Sequence, residues 1–423
     1  MADTDRRRSR FSQTLSSLRF RNYRLLFIGT VFSHTGDFMQ AMAQSWLVWT
    51  LTNSPFLLGV IGFCQAAPRL FLSAIGGAMV DRLDRRRLLL ITQVLAMLQA
   101  VAFWALVYFD LIQFWHVVLL VLFLGTVNTL NQTARQSLIN ALVPRDELMN
   151  AIALNSSVVN LSKLVGPSLA GVLISVIGVA GCLFVNAVSF FAIIISLVMM
   201  ELPAWRGQER QGNFWREVTE GYNYVRSNRE VFGAFFLMYV VALVGSPYSR
   251  FLPVFASDVL HVGPAGFGFL VAAPGLGAVV AALLLASLGN IRRRSDVTTA
   301  GVFSFAFFLI LFSFSRSMAV SILCLLMVGA SHIALRATAN ATIQMETPPH
   351  LLGRTLSLLF MDKGLWSFGT LFIGGVASVT GTPWAVTLSG ALCALSAGAV
   401  IYHRGRAKER LSRTEELEKA LVK

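Results

Sequence analysis

The chemically most loaded position in this 423-residue chain is a carboxylate inside an apolar run. Asp37 lies about 13 residues into a stretch that stays largely apolar over 24–50, which at ~1.5 Å per residue of helix is ~20 Å, close to the middle of a bilayer. A carboxyl removed from water favours its neutral form and can take a proton, which is the chemistry a proton carrier needs. The alternative is a buried ion pair with Arg69, Arg135 or Lys163. His34, one turn earlier, is either a relay partner or an interior histidine satisfied by its neighbours. Gln40 and Gln44 continue the same face at helical spacing.

Two further polar ladders stand in apolar runs at four-residue steps. One holds Asn128, Gln132, Gln136 and Asn140, with Arg135 beside it; the other holds His332, Arg336, Asn340 and Gln344. An arginine facing lipid near mid-membrane would cost roughly 2.5–3.5 kcal/mol, so these faces turn toward protein or water. They either line a hydrated cavity or tie helices together by amide hydrogen bonds, and the lower rungs can snorkel to an interface. Ionisable residues of the apolar runs are mostly cationic (Arg69, Arg135, Lys163, Arg250, Arg336 and Lys363 against Asp37 and Asp362), which favours an anionic or acceptor-rich ligand.

The elements that position these groups follow from composition. Hydrophobic residues are 55% of the chain, charged residues 13%, and mean hydropathy is +0.66. A soluble domain carries roughly 25% charge, so a water-soluble enzyme, a collagen-like chain and a disordered protein are excluded. A transmembrane helix takes ~20 apolar residues. Apolar runs bounded by charge, Gly and Pro fall at 24–50, 56–80, 88–109, 113–140, 149–177 and 180–200, then at 231–257, 266–288, 297–315, 319–344, 354–380 and 383–403. The expectation is an all-α polytopic membrane protein of twelve spans. A cytoplasmic segment 1–23, a six-helix bundle 24–200, a linker 201–230 with an amphipathic helix, a second bundle 231–403 and a tail 404–423 complete the division. No cleavable signal peptide is expected, because the first apolar run is too long and lacks a small-residue site.

Lys and Arg number 35 against 21 Asp and Glu, a net charge of +14. Counting Arg24 and Arg354 at the span edges, 28 of these cations lie at the termini or in the loops after even-numbered spans, and the loops after odd-numbered spans hold only Arg316. This is the positive-inside pattern, which places both termini in the cytoplasm and argues against nucleic acid as a partner. Cys64, Cys182, Cys324 and Cys393 lie in apolar runs without metal or disulfide spacing. No metal site and no GxxxxGK[ST] nucleotide loop occurs, so the expected energy source is the proton motive force, with no cofactor.

The halves echo each other. An offset of 206 pairs Ala66-Ala67-Pro68 with Ala272-Ala273-Pro274, and an offset of 204 superposes the two ladders. Parallel six-span repeats are the construction of a two-bundle transporter. Gly166-Pro167 interrupts span 5 and should bend it, while Ser162, Gly166, Ala170 and Gly171 keep one side small. Between spans 2 and 3, Asp81, Arg82, Asp84, Arg85, Arg86 and Arg87 crowd a short loop. They serve either as ion pairs that differ between conformations or as a topology-setting basic cluster.

Gly77-x-x-x-Asp81-Arg82-x-x-Arg85-Arg86 resembles the loop 2–3 signature of the major facilitator superfamily. Ala153-x8-Ser162-x3-Gly166-Pro167-x2-Ala170-Gly171 is similar to its span 5 antiporter motif. Leu18-Arg19-Phe20-Arg21-Asn22-Tyr23-Arg24, Gly36-Asp37-Phe38-Met39-Gln40 and Leu51-Thr52-Asn53-Ser54-Pro55 resemble the enterobactin-exporter-like, or transmembrane secretion effector, branch. The resemblance implies two pseudo-symmetric six-helix bundles with spans 1, 4, 7 and 10 lining a central site. It also implies a cytoplasmic gate in which Asp81 works with Arg82, Arg85 and Arg86 beside Gly77, and it implies export.

The expected activity is therefore secondary active efflux of a small organic molecule, such as a siderophore or drug, across the bacterial inner membrane by proton antiport. Asp37 and His34 would couple protons, and Gln40, Gln44, Asn128, Gln132, Arg135, Arg250, His332 and Arg336 would bind substrate. No catalytic constellation is present in the sequence, and the chain is expected to act as a monomer, not as an enzyme. A lipid or lysolipid flippase, an importer on the same fold, and a non-transporting scaffold or sensor are the competing readings.

Overall fold

The computed structural model describes the backbone of residues 15–82, 84–201, 214–288, 293–359 and 361–421. Side chains at 70–82, 214–218, 221, 288, 350, 357, 363, 404, 405 and 407–421 fall outside the described set. Gly77, Asp81 and Arg82, expected at the cytoplasmic gate, thus have a helical backbone but side chains outside the described residues.

Among the described residues the chain is helical throughout, with no strand. Spans 1 to 4 are the helices Arg21–Thr52, Pro55–Arg82, Arg85–Tyr108 and Phe114–Leu142. Spans 5 and 6 form the nearly continuous Leu148–Val198, turned at Gly178, whose φ of 74° is the left-handed region where glycine is at ease. Eight helices among the described residues are long and apolar enough by themselves to cross a membrane. Large side chains such as Val379 (86% exposed) and Leu395 (69%) face outward, an arrangement suited to lipid and not to water.

The chain forms two compact units, one of 1–211 with 250–275, the other of 212–249 with 276–423. In the first unit, span 1 lies along spans 5 and 6. A Cβ on Gly166 would stand 2.8 Å from both the Thr35 carbonyl oxygen and Phe38 Cβ, so the absence of a side chain lets span 5 pack directly on the turn that carries Asp37. At its N-terminus, Ser17 donates to Asn150 Oδ1 (2.7 Å), Arg19 pairs with Glu147 (2.8 Å), and Tyr23 donates to the Ala151 carbonyl (2.8 Å).

Span 7, whose chain passes from the second unit to the first at Arg250, is not one regular helix. After Arg229–Val240 come a π turn at Val241–Gly245, a 3-10 stretch at Ser246–Phe251 and a second π turn at Phe255–Val259. Pro247 and Pro253 lack backbone donors and drive this irregularity. The stretch expected to be span 11 at 354–380 is two helices, Pro349–Leu359 and Asp362–Thr380. The former is held by the linker helix Phe214–Ser227 through a Glu220–Arg354 ion pair, and Tyr224 donates to the Glu346 carbonyl beside it. The linker helix therefore docks on protein as well as presenting a polar face. Span 12 continues as one helix from Thr382 to Leu421, 40 residues.

Candidate functional site

Span 1 carries Thr30, His34 and Asp37 on one face. Arg135, from span 4 and only 6% exposed, reaches across to it. Its Nη1 donates to His34 Nε2 (2.8 Å) and Thr30 Oγ1 (3.3 Å), and its Nη2 to Asn131 Oδ1 (3.4 Å). A guanidinium only donates, so Nε2 must accept and the imidazole proton sits on Nδ1, which faces Asp37 Oδ2 at 3.5 Å. The result is a chain from carboxylate to neutral imidazole to guanidinium. Asn131 is itself fixed by donating to Thr92 Oγ1 (3.0 Å). Thr35 and Ser162 hydroxyls meet at 3.2 Å, bringing the span 5 motif to the same turn, and Lys163 lies within electrostatic reach of His34. Arg69 donates to Gln132 Oε1 (2.5 Å).

Other expected binding residues are placed differently. Gln40 is 3% exposed; its Nε2 donates to Gln99 (3.1 Å) and its Oε1 accepts from Asn186 (2.6 Å). Both ends of that amide thus take part in bonds that tie spans 1, 3 and 6 together, a packing role. Gln44 is 2% exposed, with Nε2 unsatisfied. Arg250 is buried and donates to Ser45 Oγ (3.0 Å) and to Gln65 Oε1. Asn128, Gln136 and Asn140 are exposed.

In the second unit, Arg336 Nη1 pairs with Asp362 Oδ2 at 2.7 Å, the carboxylate buried and the guanidinium partly open. His332 faces Phe305 with ring centroids 6.0 Å apart, and Phe305 meets Tyr248 edge-on at 6.3 Å. Thr30, Asn131, Ser45 and Gln65 are not singled out by sequence, and Asp362 enters there only among the ionisable residues of the apolar runs. Helical spacing from His34 and Arg135 points to Thr30 and Asn131, each four residues away; Ser45 and Gln65 carry no such signal.

The loop 2–3 arginines bind backbone within their own unit. Arg86 donates to the Leu197 (2.8 Å) and Val198 (2.7 Å) carbonyls that end span 6, and Arg85 to the Ser137 carbonyl (3.1 Å). Asp84 caps span 3 by accepting from the Arg86 and Arg87 amides. Pro167 and Gly171 pack on the start of span 8, where a Cβ on Gly171 would lie 3.0 Å from Gly268 Cα and one on Gly268 would lie 2.7 Å from the Pro167 carbonyl.

The family model described as transmembrane secretion effector matches residues 12–420. The chain belongs to that family. This branch of the major facilitator superfamily consists of multi-pass transporters of the bacterial cell membrane, and the helical fold above is that of such a protein. Among relatives of the secretion effector, the staphyloferrin A transporter of Staphylococcus aureus is 22% identical over 349 residues, covering 82% of this chain and 87% of that one. Macrolide efflux protein A of Streptococcus pyogenes is 24% identical over 354 residues, with 80% and 86% covered. The fold also matches a bacterial homologue of the human lysosomal transporter Spinster, with TM-score 0.70, 14% identity and 90% and 96% of the two chains covered.

Proposed function

We propose that this secretion effector exports a small organic molecule by proton-coupled antiport, with Asp37 as the proton carrier. The observation that carries this reading is the Asp37–His34–Arg135 chain: a carboxylate 3.5 Å from a neutral imidazole that is itself held by a buried guanidinium. Protonating Asp37 weakens its hold on the Nδ1 proton, and protonating His34 removes the acceptor that Arg135 uses. Either event is felt by groups on both span 1 and span 4, as a coupling site requires. Names of the relatives support siderophores and macrolides as substrate classes to try first. The excess of cations around the site, Arg69, Arg135 and Lys163 against Asp37, supports acceptor-rich or anionic groups on the substrate. Transport would proceed without covalent chemistry or a cofactor, by a single chain, with both termini cytoplasmic as the Lys and Arg asymmetry indicates.

Everted membrane vesicles carrying the protein should accumulate substrate when a pH gradient, acid inside, is imposed. An export screen in a deletion strain that compares siderophores, macrolides and lysolipids selects the substrate; a lysolipid hit alone would favour flipping. Asp37→Asn should abolish gradient-driven accumulation while leaving substrate counterflow intact. Normal, pH-independent accumulation by Asp37→Asn would remove the coupling assignment.

A further inference from the structure

We infer that Ser45, Gln65 and Arg250 form a polar latch that fastens the far half of span 7 and the start of span 8 onto spans 1 and 2, and that its release is a step of the transport cycle. What the latch serves rests on the transporter reading; the latch itself rests on the geometry of the first unit, and its test reads conformation, not flux.

Three observations converge on it. The first is where the chain changes company. Packing divides between Ser249 and Arg250, inside the irregular part of span 7, and again between Gly275 and Leu276, one residue after Pro274 in span 8. The 26-residue segment Arg250–Gly275 therefore packs with spans 1–6, while the chain on either side of it packs in the other unit. Its near border is made of backbone able to shift hydrogen-bonding pattern, a 3-10 stretch between two π turns, which is a usual form for a hinge.

The second is what grips the segment. Arg250 Nη1 donates to Ser45 Oγ at 3.0 Å and Nη2 to Gln65 Oε1. One residue from Ser45, the Trp46 ring stacks on Phe267 with centroids 5.8 Å apart and planes 27° apart. The backbones of Gly171 and Gly268 touch with no side chain between them. A guanidinium, an aromatic stack and a glycine contact thus hold one short segment at three places.

The third is the chemistry of the grip. Ser45 and Gln65 are neutral acceptors. A hydrogen bond from a charged donor to such a group parts more readily than a buried ion pair, whose separation leaves an uncompensated charge on each side. A bond that must open on every turnover is better built in the first way. It also accounts for Arg250, which the sequence suggests as a substrate ligand: with both Nη groups engaged, it meets a ligand only after the latch opens.

The test uses the full chain in membranes with Cys64, Cys182, Cys324 and Cys393 replaced by serine or alanine. Trp46→Cys with Phe267→Cys then reports closure through a short bifunctional methanethiosulfonate. The cysteine pair should cross-link in the parent, and Arg250→Gln, which removes both charge-assisted bonds, should slow cross-linking at least tenfold. Gln65→Glu, which places a carboxylate under the guanidinium, should speed it and slow turnover. If Arg250→Gln does not reach the membrane, Ser45→Ala and Gln65→Leu each remove one acceptor and should slow cross-linking in the same sense. Unchanged cross-linking in these variants overturns the latch, and so does a loss of transport by Arg250→Gln with cross-linking unaltered, which would return Arg250 to the substrate.

Discussion

Arg135 holds three partners from two helices at once, and that geometry belongs to a planar fork with five donors. Lysine keeps the charge but cannot bond Thr30, His34 and Asn131 together, so Arg135→Lys should lower transport by at least tenfold while the protein still elutes as a folded peak. Uptake assays paired with fluorescence size-exclusion check this. Gln40 gives the opposite expectation. Gln40→Ala leaves the buried Gln99 and Asn186 amides without their partner, at a cost of about 1–3 kcal/mol, so its thermal stability should fall with little change in substrate KM. Asp37, His34 and Arg135 are legible in the sequence because lipid rejects such side chains. Thr30 is not, since a threonine in an apolar helix commonly bonds its own preceding turn, as Thr126, Thr129 and Thr133 do here.

Among the elements, spans 1 to 4 begin and end close to where charge, Gly and Pro place them, because those residues carry the whole boundary signal. The irregular turns of span 7 are not legible in that way: a π turn differs from an α turn by one hydrogen bond, and hydropathy is blind to it. Nor is the split of 354–380, where Arg354 stays with the linker helix through Glu220. The contact between spans 5 and 8 makes a sharp expectation. A methyl on Gly268 would stand 2.7 Å from the Pro167 carbonyl and 3.1 Å from Gly171 Cα, so Gly268→Ala must push the helices apart. It should lower the melting temperature by several degrees, read by differential scanning fluorimetry in detergent, whereas Gly353→Ala, with open space around it, should not.

At the scale of the whole molecule, each unit buries charge: Arg135 and Arg250 in the first, Asp362 in the second. The second unit carries its own acid–base pair. Arg336→Asp and Asp362→Arg should each impair membrane insertion, and the double swap should recover part of it, read as protein in the membrane fraction. The last helix adds a practical consequence. Its 40 residues amount to ~60 Å of rod, against a hydrocarbon slab of ~30 Å, so about half its length must stand clear of the bilayer as a stiff mast. A fluorescent reporter fused at its tip would be held away from the membrane surface, and whether that reporter matures would show which compartment the mast points into.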